Sequence, residues 1–121
     1  MGKVLIIEDD SLIVKVYSTR LKSCGHNVFT AGDGETGLEL ARKIIPDVVL
    51  LDLMLPKLSG LEVLAELKKD PKTSKSPVIV YSNLGRDEEI QKAKNLGVAE
   101  FITKADSTPQ QVVAKIESYL K

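Results

Sequence analysis

The sequence predicts an α/β fold in which a parallel sheet is covered by helices on both faces. Three observations predict it. Strand-like and helix-like segments alternate along all 121 residues. The central strand candidate, Val48-Val49-Leu50-Leu51, is apolar at every position, as a strand buried on both faces must be. Acids then appear where apolar runs stop, at Glu8-Asp9-Asp10 and at Asp52.

The elements follow in order. Lys3–Ile7 reads as a strand. Ser11–Ser23 reads as a helix with Leu12, Ile13, Val16 and Leu21 inward and Gly25 as its stop. Asn27–Thr30 is short and β-prone. Asp33 caps a helix over 34–45, with Leu38, Ala41 and Ile45 inward and Pro46 ending it. After the strand Val48–Leu51, Leu61, Leu64 and Leu67 stripe a helix that Asp70-Pro71 closes. The polar stretch 70–76 reads as a surface loop. Pro77 opens a strand over 78–81. Asp87–Asn95 carries Ile90 and Ala93, with Leu96 next and Gly97 as terminator. Glu100–Thr103 is a fifth strand. In the last helix Thr108 fits the N-cap, Pro109 the first position and Gln111 the capping box, with Val112, Val113, Ile116 and Leu120 inward. Right-handed crossovers between five such strands favour the flavodoxin-like order 2-1-3-4-5, which sets the first and third strands side by side at the switch point.

The whole chain, 1–121, reads as a single domain. Lys plus Arg equals Asp plus Glu at 17 each, a balance that argues against direct nucleic-acid binding. No apolar stretch approaches the roughly 20 residues that span a membrane, and the start lacks a secretory signal. The expectation is a cytoplasmic protein. Cys24 is single and reads as a small, partly buried residue; His26 reads as solvated in a turn.

In an open parallel sheet, ligands sit at the carboxyl ends of the strands. Glu8 and Asp9 end the first strand and Asp52 ends the third, so adjacent strands would gather three carboxylates. Two such groups about 5 Å apart repel by roughly 3 kcal/mol at an effective dielectric near 20. A divalent cation relieves that repulsion, and hard oxygen donors suit Mg²⁺, with Mn²⁺ possible. Asp10 reads as a helix cap. Ser82 and Lys104 end the fourth and fifth strands at the same edge. A cation, an ammonium and a hydroxyl around one aspartate describe a phosphoryl-transfer site, with Asp52 attacking phosphorus.

With Val4-Leu5-Ile6-Ile7-Glu8-Asp9-Asp10, Leu51-Asp52 followed by Pro56 and Gly60, Tyr81-Ser82, and Phe101-Ile102-Thr103-Lys104 in order, the chain resembles the receiver domain of two-component response regulators, chemotaxis-regulator-like, from Val4 to about Leu120. The resemblance implies that Asp52 accepts a phosphoryl group from a histidine kinase or phosphotransfer protein, and that Asp9, Asp52 and the Met54 backbone carbonyl ligate Mg²⁺, with Glu8 acting through water. It implies that Ser82 and Lys104 bind the phosphoryl group and that Ser82 and Phe101 form a conformational switch. It further implies self-catalysed phosphorylation and dephosphorylation without a conventional enzyme activity. A downstream protein or a second copy would then bind the face of the fourth helix, fifth strand and fifth helix, where Ile90, Lys94, Phe101 and Tyr119 lie. The family pattern has proline after the lysine; Ala105 stands here, which predicts a trans bond or a strained loop. Met54 and Leu84, two residues beyond Asp52 and Ser82, are apolar and predict slow loss of the phosphoryl group.

Other readings fit less well. A haloacid-dehalogenase-type phosphatase wants a carboxylate at the position of Met54. A flavodoxin-like cofactor carrier wants a glycine- and hydroxyl-rich loop where Glu8-Asp9-Asp10 stands. A degenerate receiver would lack some of the key side chains, and all are present.

Overall fold

The computed structural model describes residues 2–83 and 87–120. It contains β1 (Lys3–Ile7), α1 (Ser11–Ser23), β2 (Asn27–Ala31), α2 (Gly34–Ile44), β3 (Val48–Leu51), α3 (Gly60–Lys69), β4 (Val78–Ser82), α4 (Asp87–Asn95), β5 (Glu100–Thr103) and α5 (Pro109–Glu117). The strands form one parallel sheet in the order β2-β1-β3-β4-β5. The flavodoxin-like topology is therefore as expected.

The two-residue period of the strands sorts their side chains into two cores. Leu5, Ile7, Val49, Leu51, Val78 and Val80 pack with Leu38, Ala41, Val63, Leu64, Leu67 and Ala93 from α2, α3 and α4. Val4, Ile6, Val48, Leu50, Ile79 and Tyr81 pack with side chains of α1 and the α5 segment, among them Tyr17, Leu21, Val112 and Ile116. Burial on both faces explains why β1, β3 and β4 are apolar runs, not alternating ones.

The expected caps are present. Asp10 accepts from Leu12 N and Ile13 N, and Asp33 accepts from Thr36 N. Thr108 and Gln111 close a capping box on α5. A second box, Ser59 with Glu62, starts α3. These bonds satisfy N–H groups that a helix cannot satisfy itself.

Several expectations need correction. Leu12 is 69% exposed. Residues two apart on a helix lie about 200° apart, so a stripe through Val14, Tyr17 and Leu21 leaves Leu12 outward. Ile45 is not an inward helical residue; it is 40% exposed and adopts φ 49° as the α2 C-cap. Pro46 disfavours helical backbone at the residue before it, and Ile45 takes the left-handed alternative. Cys24 is exposed at the end of α1. His26 is packed, with 8% of its side chain exposed. Its Nδ1 accepts from Gly2 N at 3.2 Å, so Nε2 carries the hydrogen it directs to Glu117 Oε2 at 3.1 Å. The loop over 70–76 is partly internal. Thr73 Oγ1 donates to the Leu67 carbonyl and Ser76 Oγ to the Pro46 carbonyl, each at 2.7 Å. These side chains are polar because they serve buried backbone acceptors.

Candidate functional site

Sheet pairing delivers the acids to one place. Asp52 N donates to the Ile7 carbonyl at 3.0 Å, continuing the β1–β3 ladder, and Glu8 N donates to the Ala31 carbonyl at 2.9 Å, continuing β1–β2. Glu8 and Asp52 are 4% and 5% exposed, while Asp9 is exposed. One carboxylate oxygen from each of Glu8, Asp9 and Asp52 falls within 4.8 Å of the others. Three hard oxygen donors this close, two of them buried, fit a divalent cation.

Gly60 explains why a glycine follows Asp52 at close range. Its N–H donates to the Leu53 carbonyl at 2.9 Å. A Cβ there would collide with the Asp52 carbonyl oxygen and Leu53 Cα. The same loop holds Lys57 at φ 68°, a left-handed conformation that disfavours a side chain. Met54 N donates to Asp52 Oδ1 at 3.1 Å, and the Met54 side chain is 61% exposed.

Lys104 crosses to the acids from β5. Its Nζ donates to Glu8 Oε1 at 2.9 Å and to Asp52 Oδ2 at 3.1 Å, with 15% of the side chain exposed. Burial works against the ammonium, but the hydrogen bond to Glu8 and the charge and hydrogen bond of Asp52 outweigh it and hold the lysine pKa above its ordinary value. Glu8 shows the reverse balance. Burial pushes its carboxyl up to about 7, against the hydrogen bonds from Lys104 and Asp10 N, and the Asp52 charge adds to the rise. Among the described residues no peptide bond is cis, and Lys104–Asp106 forms a 3-10 turn. The trans bond expected before Ala105 is present, and Lys104 reaches the acids.

Ser82 is 1% exposed and is the last residue of β4, paired with Thr103. Phe101 pairs with Val80 and packs, half-buried, against the α2–α3–α4 core. Ser82 lies two residues beyond Val80, so Ser82 and Phe101 share a face of the sheet. Leu84 lies outside the described residues.

Sequence reading missed Tyr81 and Tyr17 as neighbours of the site. Lys104 Nζ lies over the Tyr81 ring, 5.5 Å from its centroid. Tyr17 OH donates to Tyr81 OH at 2.9 Å. The apolar run of β4 signalled only that a residue at 81 is buried.

The chain is similar in sequence and fold to known proteins. A family model described as the response regulator receiver domain matches residues 4–117. A probable transcriptional regulator ycf27 of Guillardia theta is 40% identical over 119 residues, which cover 98% of this chain and 45% of that protein. The chain spans about half the length of the curated relatives it matches. Among solved structures, the phosphorylated cyanobacterial phytochrome response regulator RcpA is 32% identical with a TM-score of 0.84, over 98% of this chain and 93% of that one. The Mn²⁺-bound form of response regulator Rcp1 is 27% identical with a TM-score of 0.85, over the same shares of 98% and 93%.

Proposed function

This chain belongs to the response regulator receiver domain family, and on that premise we propose that Asp52 is its phosphoacceptor. Receiver domains act as phosphorylation-activated switches and are not enzymes in the conventional sense. The observation that carries the assignment is the convergence of Lys104 Nζ on Glu8 and Asp52 beside the exposed carboxylate of Asp9. Asp52 Oδ attacks phosphorus in line, and the bond to the donor's leaving group, a histidine nitrogen or a small acyl oxygen, breaks with its electron pair. Lys104 turns its N–H groups from the carboxylates to the phosphoryl oxygens. The Ser82 hydroxyl, at the end of the neighbouring strand, donates to the same group. Asp9, Asp52 and the Met54 carbonyl would hold Mg²⁺, with Glu8 in the outer shell; Mn²⁺ suits the same donors, as the Mn²⁺-bound relative suggests. When bound, the ion neutralises charge on the transferring oxygens.

The product is an acyl phosphate, which the domain would lose again by hydrolysis. Met54 and Leu84 slow that loss by shielding the site. Replacing them with Asn and Glu should shorten the half-life severalfold; an unchanged decay rate would refute the shielding role.

The output face is formed by α4, β5 and α5. Among the described α4 residues only Ala93 is buried, so the helix is anchored lightly and can shift when Ser82 and Phe101 move. A downstream protein or a second copy would bind there, near Ile90, Lys94 and Tyr119. The upstream partner is a sensor histidine kinase or a phosphotransfer protein. None of the helices in the described residues is long and apolar enough to cross a membrane. The domain binds no nucleic acid directly in this reading and works in the cytoplasm.

The test is intact mass spectrometry after acetyl phosphate and Mg²⁺. One phosphoryl group should add to the wild type and be absent from Asp52→Asn. A wild type that stays unmodified with every donor would instead support a degenerate receiver that works by binding alone.

A further inference from the structure

We propose that Tyr81 is a positioning residue for the phosphoryl transfer, its ring acting as the fixed seat of the Lys104 ammonium. The inference rests on the reading of Asp52 and Lys104 given above. Lys104 carries its charge on a flexible four-carbon stem, and holding such a group at one point needs contacts in several directions. The structure supplies three: Glu8 Oε1 at 2.9 Å, Asp52 Oδ2 at 3.1 Å, and the Tyr81 ring with its centroid 5.5 Å away. That distance lies within the range at which a ring quadrupole attracts an ammonium, and the site's burial strengthens the attraction. Ala105 follows Lys104, so no proline ring restricts the backbone at that point.

The three contacts differ in what happens to them during the reaction. Both hydrogen bonds end on carboxylates that a cation and a phosphoryl group would engage, so the N–H groups must change partners. The ring uses no N–H group and has no competing ligand. It therefore keeps the ammonium at the crevice while the hydrogen bonds are exchanged.

The ring itself is held firmly. Tyr81 is 7% exposed and Tyr17 is 2% exposed. Their rings meet edge to face with centroids 5.4 Å apart and planes at 80°. The Tyr17 hydroxyl donates to the Tyr81 hydroxyl at 2.9 Å. Tyr81 also pairs through the sheet with Ile102, two residues before Lys104, so ring and lysine are carried by adjoining strands. Tyr17 fixes the ring, the ring seats the lysine, and the lysine meets the phosphoryl group.

The experiment compares wild type, Y81F and Y81L in two measurements. Acetyl phosphate phosphorylation is followed at saturating Mg²⁺ to separate the maximal rate from half-saturation. NMR then records the Lys104 ε-methylene protons, which a ring face shifts upfield. Y81L should lose the upfield shift and about tenfold in maximal rate, the scale of one desolvated cation–π contact. Y81F, which keeps the ring, should retain the shift and stay within a few-fold of the wild-type rate. An absent shift in the wild type, equal rates in wild type and Y81L, or a loss in Y81F as large as in Y81L would each overturn the proposal. Should Y81L fail to fold, wild type and Y81F still decide the matter through the shift. A wild type that shows the shift yet accepts no phosphoryl group overturns the reading of Asp52 and leaves the seat itself demonstrated.

Discussion

Glu8 shows how one residue couples the site to folding. Its carboxyl titrates near 7 in the folded chain against 4.5 ordinarily. The folded state thus holds more protons than the unfolded state between those values. Stability from this group is present below pH 4.5 and is lost as pH rises through about 7. The full loss is on the order of 3 kcal/mol. Asp33 and Asp70 act in the opposite sense and at lower pH, because backbone hydrogen bonds from Thr36 and Lys72 hold their carboxyls below the ordinary 3.8. Metal-free Glu8→Gln should therefore lose less stability than wild type between pH 5 and 8. Urea unfolding in a chelator measures it, and parallel slopes for the two proteins would remove Glu8 as the cause. Lys57 offers a second residue-scale test. At φ 68° it carries a backbone penalty that glycine avoids. Its pairing with Asp33, at 3.9 Å and exposed, contributes little. Lys57→Gly should raise stability by about 0.5–1 kcal/mol, net of the entropy glycine loses on folding; thermal unfolding that shows a loss would mean the loop is not strained there.

At the scale of elements, the helices differ in how they are held. α3 contributes Gly60, Val63, Leu64 and Leu67 to the interior and starts from a capping box. Its far end is fastened by Thr73 and by Lys68, whose Nζ donates to the carbonyls of Ser74 and Ser76. Burial lowers the Lys68 pKa. α4 has three acids in its first turn and lysines in its last, which suit the helix dipole, but buries only Ala93 among the described residues. A helix held mainly by its own hydrogen bonds is marginal in water. Amide hydrogen exchange should therefore be faster in α4 than in α3, and phosphorylation should change protection in α4 first. Equal protection in the two helices would count against α4 as the mobile part of the switch.

At the scale of the molecule, a cation held by Glu8, Asp9 and Asp52 would be linked to folding, because the acid cluster exists only when β1 and β3 pair. Mg²⁺ at about 100 times its Kd should stabilise the protein by about 2.7 kcal/mol, or several degrees in Tm, and Asp9→Asn should reduce the shift. A thermal shift identical in wild type and Asp9→Asn would place the ion elsewhere. Much of this architecture was legible in the chain. Apolar runs fixed the strands, because both faces of a parallel sheet are dry, and Asp10, Asp33 and Thr108 marked helix starts, because capping is a local hydrogen-bonding need. The carboxylates and Lys104 were legible because they interrupt or end those runs. Leu12, Ile45 and His26 were misread, because which way a side chain faces near a helix end or a turn depends on what packs beside it. The sequence by itself determined the order of elements, the family and the chemical types at the strand ends, since these follow from local pattern. Only the tertiary structure decided that Lys104 reaches Glu8 and Asp52 without a proline after it, and that Tyr81 lies beneath its ammonium. Those contacts join residues far apart in the chain, and only strand pairing brings them within a few ångströms.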